Sequence, residues 1–100
     1  SDKRLVMSQL LWEKGNTDLS VVTIGKGEKY LLSAAIDLLE LKKQKNLPPG
    51  LSDKLELAAK KHEEAIIKLI NSTNDEAIRQ GLNVALGINH QATQQILSAK

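Results

Sequence analysis

Apolar and small side chains recur along most of this chain at alternating steps of three and four. Ile24, Gly27, Leu31, Ala34, Leu38 and Leu41 form one series. Leu55, Ala58, His62, Ala65 and Leu69 form a second, and Ile78, Leu82, Ala85, Asn89, Ala92, Ile96 and Ala99 a third. Such steps return to the same side of an α-helix, so each series marks one helix face. A shorter stretch, Asp2 to about Lys14, takes an apolar side from Leu5, Val6, Leu10 and Leu11, with Asp2 as its cap. The expected fold is all-α, an up-down antiparallel helical bundle of a short N-terminal helix plus three longer helices. Its expected core includes Leu31, Leu38, Leu55, Leu69, Ile78 and Leu82.

The breaks between these stretches follow from turn chemistry. Gly15-Asn16 reads as a helix stop, and Thr17 or Asp18 as the next start. Val21-Val22-Thr23-Ile24 is β-branched and favours a strand, which Gly25-Lys26-Gly27 could turn into the following helix. A single strand would find no partner, so a continuous helix from about Leu19 to Lys45 is expected, weakened near the two glycines. Asn46-Leu47-Pro48-Pro49-Gly50 ends it, because neither proline fits a helix interior. Ser52 is the expected cap of the third helix, with Asp53 and Glu56 in its first turn, and that helix runs to about Asn71. Thr73 and Glu76 have capping-box spacing for a fourth, ending near Ser98. Both later connections are short, which places consecutive helices side by side and antiparallel.

At 100 residues the chain is one domain, residues 1–100. Aromatics contribute only 2%, Trp12 and Tyr30, so the core must be aliphatic and alanine-rich. No apolar run approaches a membrane span, so no membrane insertion of this segment is expected. With 14 Lys+Arg against 12 Asp+Glu, the net charge of +2 is too small to imply nucleic acid by itself. The absence of cysteine excludes disulfides, thiolate ligands and a cysteine nucleophile. An opening Ser in place of Met suits a processed product or a fragment.

Candidate chemistry is sparse. Gly25-Lys26-Gly27 lacks the four-residue spacing and the Ser or Thr of a phosphate loop, and the third glycine of a dinucleotide fingerprint. His62-Glu63-Glu64 lacks the second His of a zincin helix, since position 66 is Ile. His90 could meet His62 across neighbouring helices, but without a third ligand no metal is expected. His62 is expected to lay its ring on the apolar seam with one nitrogen hydrogen-bonded or solvated. No serine sits in a Gly-x-Ser-x-Gly elbow. No catalytic residue and no cofactor are therefore expected.

What remains points to binding. Leu32, Ile36 and Leu39 lie off the first stripe and Leu86 and Leu97 off the third. With Trp12 they form a candidate surface for a protein partner or a homodimer. The alternative is a cytoplasmic nucleic-acid-binding accessory protein using Lys42, Lys43, Lys45, Lys60 and Lys61. No aromatic interleaves those lysines to stack on bases, and lysines at a helix end also answer the helix dipole.

One longer pattern adds to this. Lys26-Gly27-Glu28-Lys29-Tyr30-Leu31-Leu32-Ser33-Ala34 has a K-x-E-x-Y-L-x-x-A form, and His62-Glu63-Glu64 to Leu69 an H-E-E-x-x-x-x-L form. Asn74-Asp75-Glu76-Ala77 stands where a P-x-x-A connector would, without its proline, and Asn89 and Leu97 approximate a closing run. On these residues, 26–100 resemble an uncharacterised helical domain of bacterial extracytoplasmic proteins, some associated with anti-sigma factors. Residues 1–25 have no counterpart in it. The resemblance implies an envelope or secreted location and a structural or protein-binding role, and it brings no catalytic residue or cofactor.

Overall fold

A computed structural model describes residues 2–100 as four helices: α1 (Asp2–Glu13), α2 (Thr17–Lys43), α3 (Leu51–Ser72) and α4 (Glu76–Ser98). No strand occurs among the described residues. The β-branched run at residues 21–24 is helical, because Ile24 is buried and Val21 half-buried against the same core cluster. Packing there overrides a weak local preference.

The helix ends are set by backbone geometry more than by the expected side-chain caps. Gly15 (φ 82°) closes α1: its N–H bonds the Trp12 carbonyl, and the Asn16 N–H bonds the Leu11 carbonyl. Lys45 (φ 60°) repeats this arrangement after α2, with N–H bonds from Lys45 to Lys42 and from Asn46 to Leu41. It ends α2 at Lys43, two residues before the expected stop. The cap of α3 is Gly50 (φ 79°) rather than Ser52, and no side chain bonds that helix start. The cap of α4 is Asp75 rather than Thr73. Its carboxylate accepts from the Ala77 and Ile78 N–H groups, and the Thr73 hydroxyl accepts from the Asp75 N–H. Asp2 lies inside α1, and its carboxylate bonds a side chain on α3 instead of a helix start.

The most extensive helix contact is between α2 and α4. Val21 meets Gly81, Glu28 meets Asn89 and Lys42 meets the Ser98 carbonyl, so these two helices run parallel. Helix α3 runs antiparallel to α4, as its contacts from Asp53 and Glu56 to Lys100 and from Glu63 to His90 require. Helix α1 lies antiparallel on α2, where Ser20 donates to the Ser8 carbonyl at 2.7 Å. Consecutive helices alternate in direction, as expected of an up-down bundle. Yet α2 and α3, joined by the proline loop, touch far less than α2 and α4 do. The bundle measures 45 × 21 × 16 Å.

The seams are partly reassigned. All seven positions of the α4 series are buried, as expected. On α2 the inward residues include Glu28 and Ala35, while Ala34 and Leu41 are half-buried. On α3 the seam is Ala59, His62, Ile66 and Leu69, so Ala58, Ala65 and Leu55 move to its flank. This turn follows from α3 facing α4 in preference to α2. Helix α1 departs most: it buries Ser8, exposes Val6, Met7 and Leu10, and leaves Leu5 and Leu11 half-buried. The small Ser8 and Ser20, both fully buried, permit the close approach of α1 to α2.

Candidate functional site

The buried side chains form two apolar clusters. One gathers Leu31, Ala35, Leu38, Ala59, Ala92 and Ile96; the other gathers Ile24, Ile66, Leu69, Ile78, Leu82 and Ala85. Between them lies a polar layer. Glu28 sits one helix turn from both Ile24 and Leu31, His62 stands between Ala59 and Ile66, and Asn89 between Ala85 and Ala92. All three are enclosed by the protein.

The layer is hydrogen-bonded across all four helices. The Nδ1 of His62 is 2.8 Å from Oε2 of Glu28, and its Nε2 is 3.1 Å from Oδ1 of Asp2. Each ring nitrogen faces a carboxyl group, an arrangement that favours the doubly protonated imidazolium, in which both nitrogens donate. The second Glu28 oxygen accepts from the Asn89 amide at 2.8 Å, and that amide also donates to the Ala59 carbonyl at 3.0 Å. Two acceptors around one nitrogen fix the amide orientation and leave the Asn89 Oδ1 without a partner among the described residues. Burial opposes charge on His62, but the bonds and charges of Glu28 and Asp2 outweigh it and hold its pKa above the ordinary histidine value. The bond from His62 in turn holds the Asp2 carboxyl below its ordinary value. Asp2 is the part of the cluster that reaches solvent, with its side chain 81% exposed.

With both nitrogens engaged, His62 has no free lone pair for a substrate proton or a metal. The layer joins four helices and fixes their register. The expectation of one bonded or solvated nitrogen on His62 is corrected: a buried acid lies beside it. His90 takes a different carboxylate, Glu63 at 2.8 Å, on the exposed side of α3 and α4, so the two histidines do not share a site. No group of three or more His, Asp or Glu among the described residues is arranged to hold a metal ion.

The candidate interaction residues divide into three places. Trp12 is half-buried against the Ile24–Ile66 cluster. Leu32 and Leu39 are half-buried, with Ile36 52% exposed, on the flank of α2 that also carries Val21 and so faces α4. Leu86 and Leu97 lie on the opposite flank of α4, the side of His90 and Thr93 that faces α3. The sequence reading missed Val84 and Ile88, on the flank of α4 that carries Gly81 and so faces α2, where the pairings of Val21 with Gly81 and of Glu28 with Asn89 set them level with Ile24 and Gly27. Gly81, Val84, Ile88, Gln91 and Gln95 recur at steps of three and four, which was the signal available.

The lysines do not share a face. Lys42 and Lys43 end α2, where Lys42 donates to the Ser98 carbonyl. Lys60 lines a cleft with Asp53, Glu56 and Glu63, and Lys61 lies near Asp2. No helix of the described residues is long and apolar enough to cross a membrane. In comparisons with known protein families, characterised proteins and solved structures, the chain matches none.

Proposed function

We propose that this chain is a non-enzymatic helical interaction domain that binds protein through the outer face between α2 and α4. It would serve in a bacterial envelope or secreted protein of the kind its residues 26–100 resemble. The observation that carries the reading is the apolar side chains along that face: Ile36 of α2 and Val84 of α4 are exposed, and Leu32, Leu39 and Ile88 on the same flanks are half-buried. Single exposed leucines are ordinary on a soluble domain, but a row along two adjacent helices is the kind of surface that partners cover. The ionisable groups of the interior support the reading as well, since they bond one another instead of converging on an open cleft. The scattered lysines, with Lys60 among three carboxylates, argue against the nucleic-acid alternative.

A photo-crosslinking amino acid placed at Ile36 and, in a separate chain, at Glu64 on the outer side of α3 tests this in producing cells. Adducts to protein at position 36 and none at 64 support it. No adduct at 36, or salt-sensitive binding of nucleic acid lost on Lys42/Lys43/Lys60 charge reversal, overturns it.

A further inference from the structure

We propose that the partner seated on the α2/α4 face is a second copy of this chain, docked antiparallel about a twofold axis. This rests on the interaction-domain reading and names its partner. On the outer flank of α2 the positions from Asp18 to Lys43 recur at steps of four and three, a second seam beside the buried one. That seam is self-complementary when reversed. Asp18 and Lys43, Val22 and Leu39, and Gly25 and Ile36 are each equidistant from the midpoint between Lys29 and Leu32. Reversal thus sets acid against base at the ends, apolar against apolar next, a glycine against a large aliphatic nearer the middle, and the stem of Lys29 against Leu32 at the centre. A side chain built at Gly25 would meet nothing within 4 Å, so there is room for Ile36 of the copy. A parallel copy would oppose Asp18 to Asp18 and Lys43 to Lys43.

Helix α4 points the same way. From Gln80 to Ala99 it carries no Asp, Glu, Lys or Arg. A twofold contact places residues near the axis beside their own images, where like charges repel unless, like Lys29 of α2, they stand on a flexible stem that can swing its charge out to solvent. The pairing of Glu28 with Asn89 sets Gln91 level with the midpoint of the α2 seam. There an amide can donate to and accept from its own image. A partner of opposite charge would find nothing on α4 to bind, and an anionic membrane surface no basic row. An axis in the plane of the face and perpendicular to the helices satisfies both helices at once. The seam of α2 spans roughly 38 Å, and two helices side by side are about 18 Å across, giving on the order of 700 Å² per copy. A standard interface needs about 800 Å² per partner.

Sedimentation equilibrium of the whole chain from about 1 to 500 μM, with three variants, tests this. The expected result is a reversible dimer. Ile36→Asp, at a site 52% exposed in the single chain, should raise its Kd about 30-fold or more. Asp18→Lys should weaken the dimer, and Asp18→Lys with Lys43→Asp should restore it. Gln91→Cys, in a chain with no other cysteine, should oxidise to a disulfide-linked dimer, and Glu64→Cys should not. A monomer throughout the range, or a dimer indifferent to Ile36→Asp, overturns the proposal. A monomer whose position 36 still crosslinks to another protein overturns the second copy and leaves the interaction-domain reading standing.

Discussion

His62 and Glu28 meet at 2.8 Å inside the core, with side chains 1% and 2% exposed. A buried ion pair contributes little net stability against an apolar alternative, but removing one partner strands the other charge at a cost of about 3–5 kcal/mol. Glu28→Leu should therefore destabilise the chain by about 3 kcal/mol or more. Replacing Glu28, His62 and Asn89 together with apolar residues should cost far less. Urea unfolding followed by Trp12 fluorescence measures both. Equal losses in the single and triple variants would show that the layer acts through packing alone.

The same pair sets the pH response. His62 has a raised pKa in the folded chain, so its contribution is complete below about pH 6.5 and is lost as pH climbs through the folded value. Asp2 has a lowered pKa, so its contribution is present above about pH 3.9 and is lost as pH falls through the folded value. Stability from this cluster should be greatest between those limits. When His62 gives up its proton, one N–H remains for two carboxylates. The Asp2 bond is the one water replaces most readily, because Asp2 is exposed. Amide exchange in the first turns of α1 should then quicken on the alkaline side before α2 to α4 respond. His62→Gln should remove the alkaline decline, and an unchanged profile in that variant would place the titration elsewhere.

How much of this was legible in the sequence depends on what each signal encodes. The α4 stripe was complete because all seven of its positions face inward, Asn89 included. His62 and Asn89 stood on core stripes as polar residues, yet their partner Glu28 lies beside Gly27, the position the three-four count selects. Periodicity fixes a face to about one residue, and one residue decided whether an acid or a glycine faced the histidine. The parallel pairing of α2 with α4 was not legible, since loop lengths constrain consecutive helices only. Helix α1 was misread because its inward face is small and polar: Ser8 and Ser20 carry a hydrogen bond across the contact, where hydropathy looks for leucine.

The parallel pair depends on a close approach. A methyl group built on Gly81 would lie 2.6 Å from a γ-carbon of Val21, and a β-branched side chain in a helix has few other rotamers. Gly81→Ala gains about 1 kcal/mol of helix propensity and loses about 1–3 kcal/mol to overpacking, so a net loss is expected. Val21→Ala should relieve it. A double-mutant cycle by thermal unfolding should give a favourable coupling of about 1 kcal/mol or more. Additive effects would mean that α2 and α4 separate freely at this level.

Lys45 offers the opposite case, a position where a smaller residue helps. It holds φ 60° to close α2, through N–H bonds from Lys45 and Asn46 to carbonyls in the last turn. A residue with a side chain pays about 1–2 kcal/mol in that conformation, and glycine is the residue that adopts it freely. Glycine also gives back some of the gain through the greater freedom of the unfolded chain. Lys45→Gly should therefore stabilise the domain by about 0.5–1 kcal/mol, raising Tm by a few degrees. Lys45→Ala keeps the strain and loses the charge, so it should not stabilise. If both variants raise Tm alike, the gain comes from removing a positive charge near Lys42 and Lys43, and the left-handed closure of α2 is not where the strain lies.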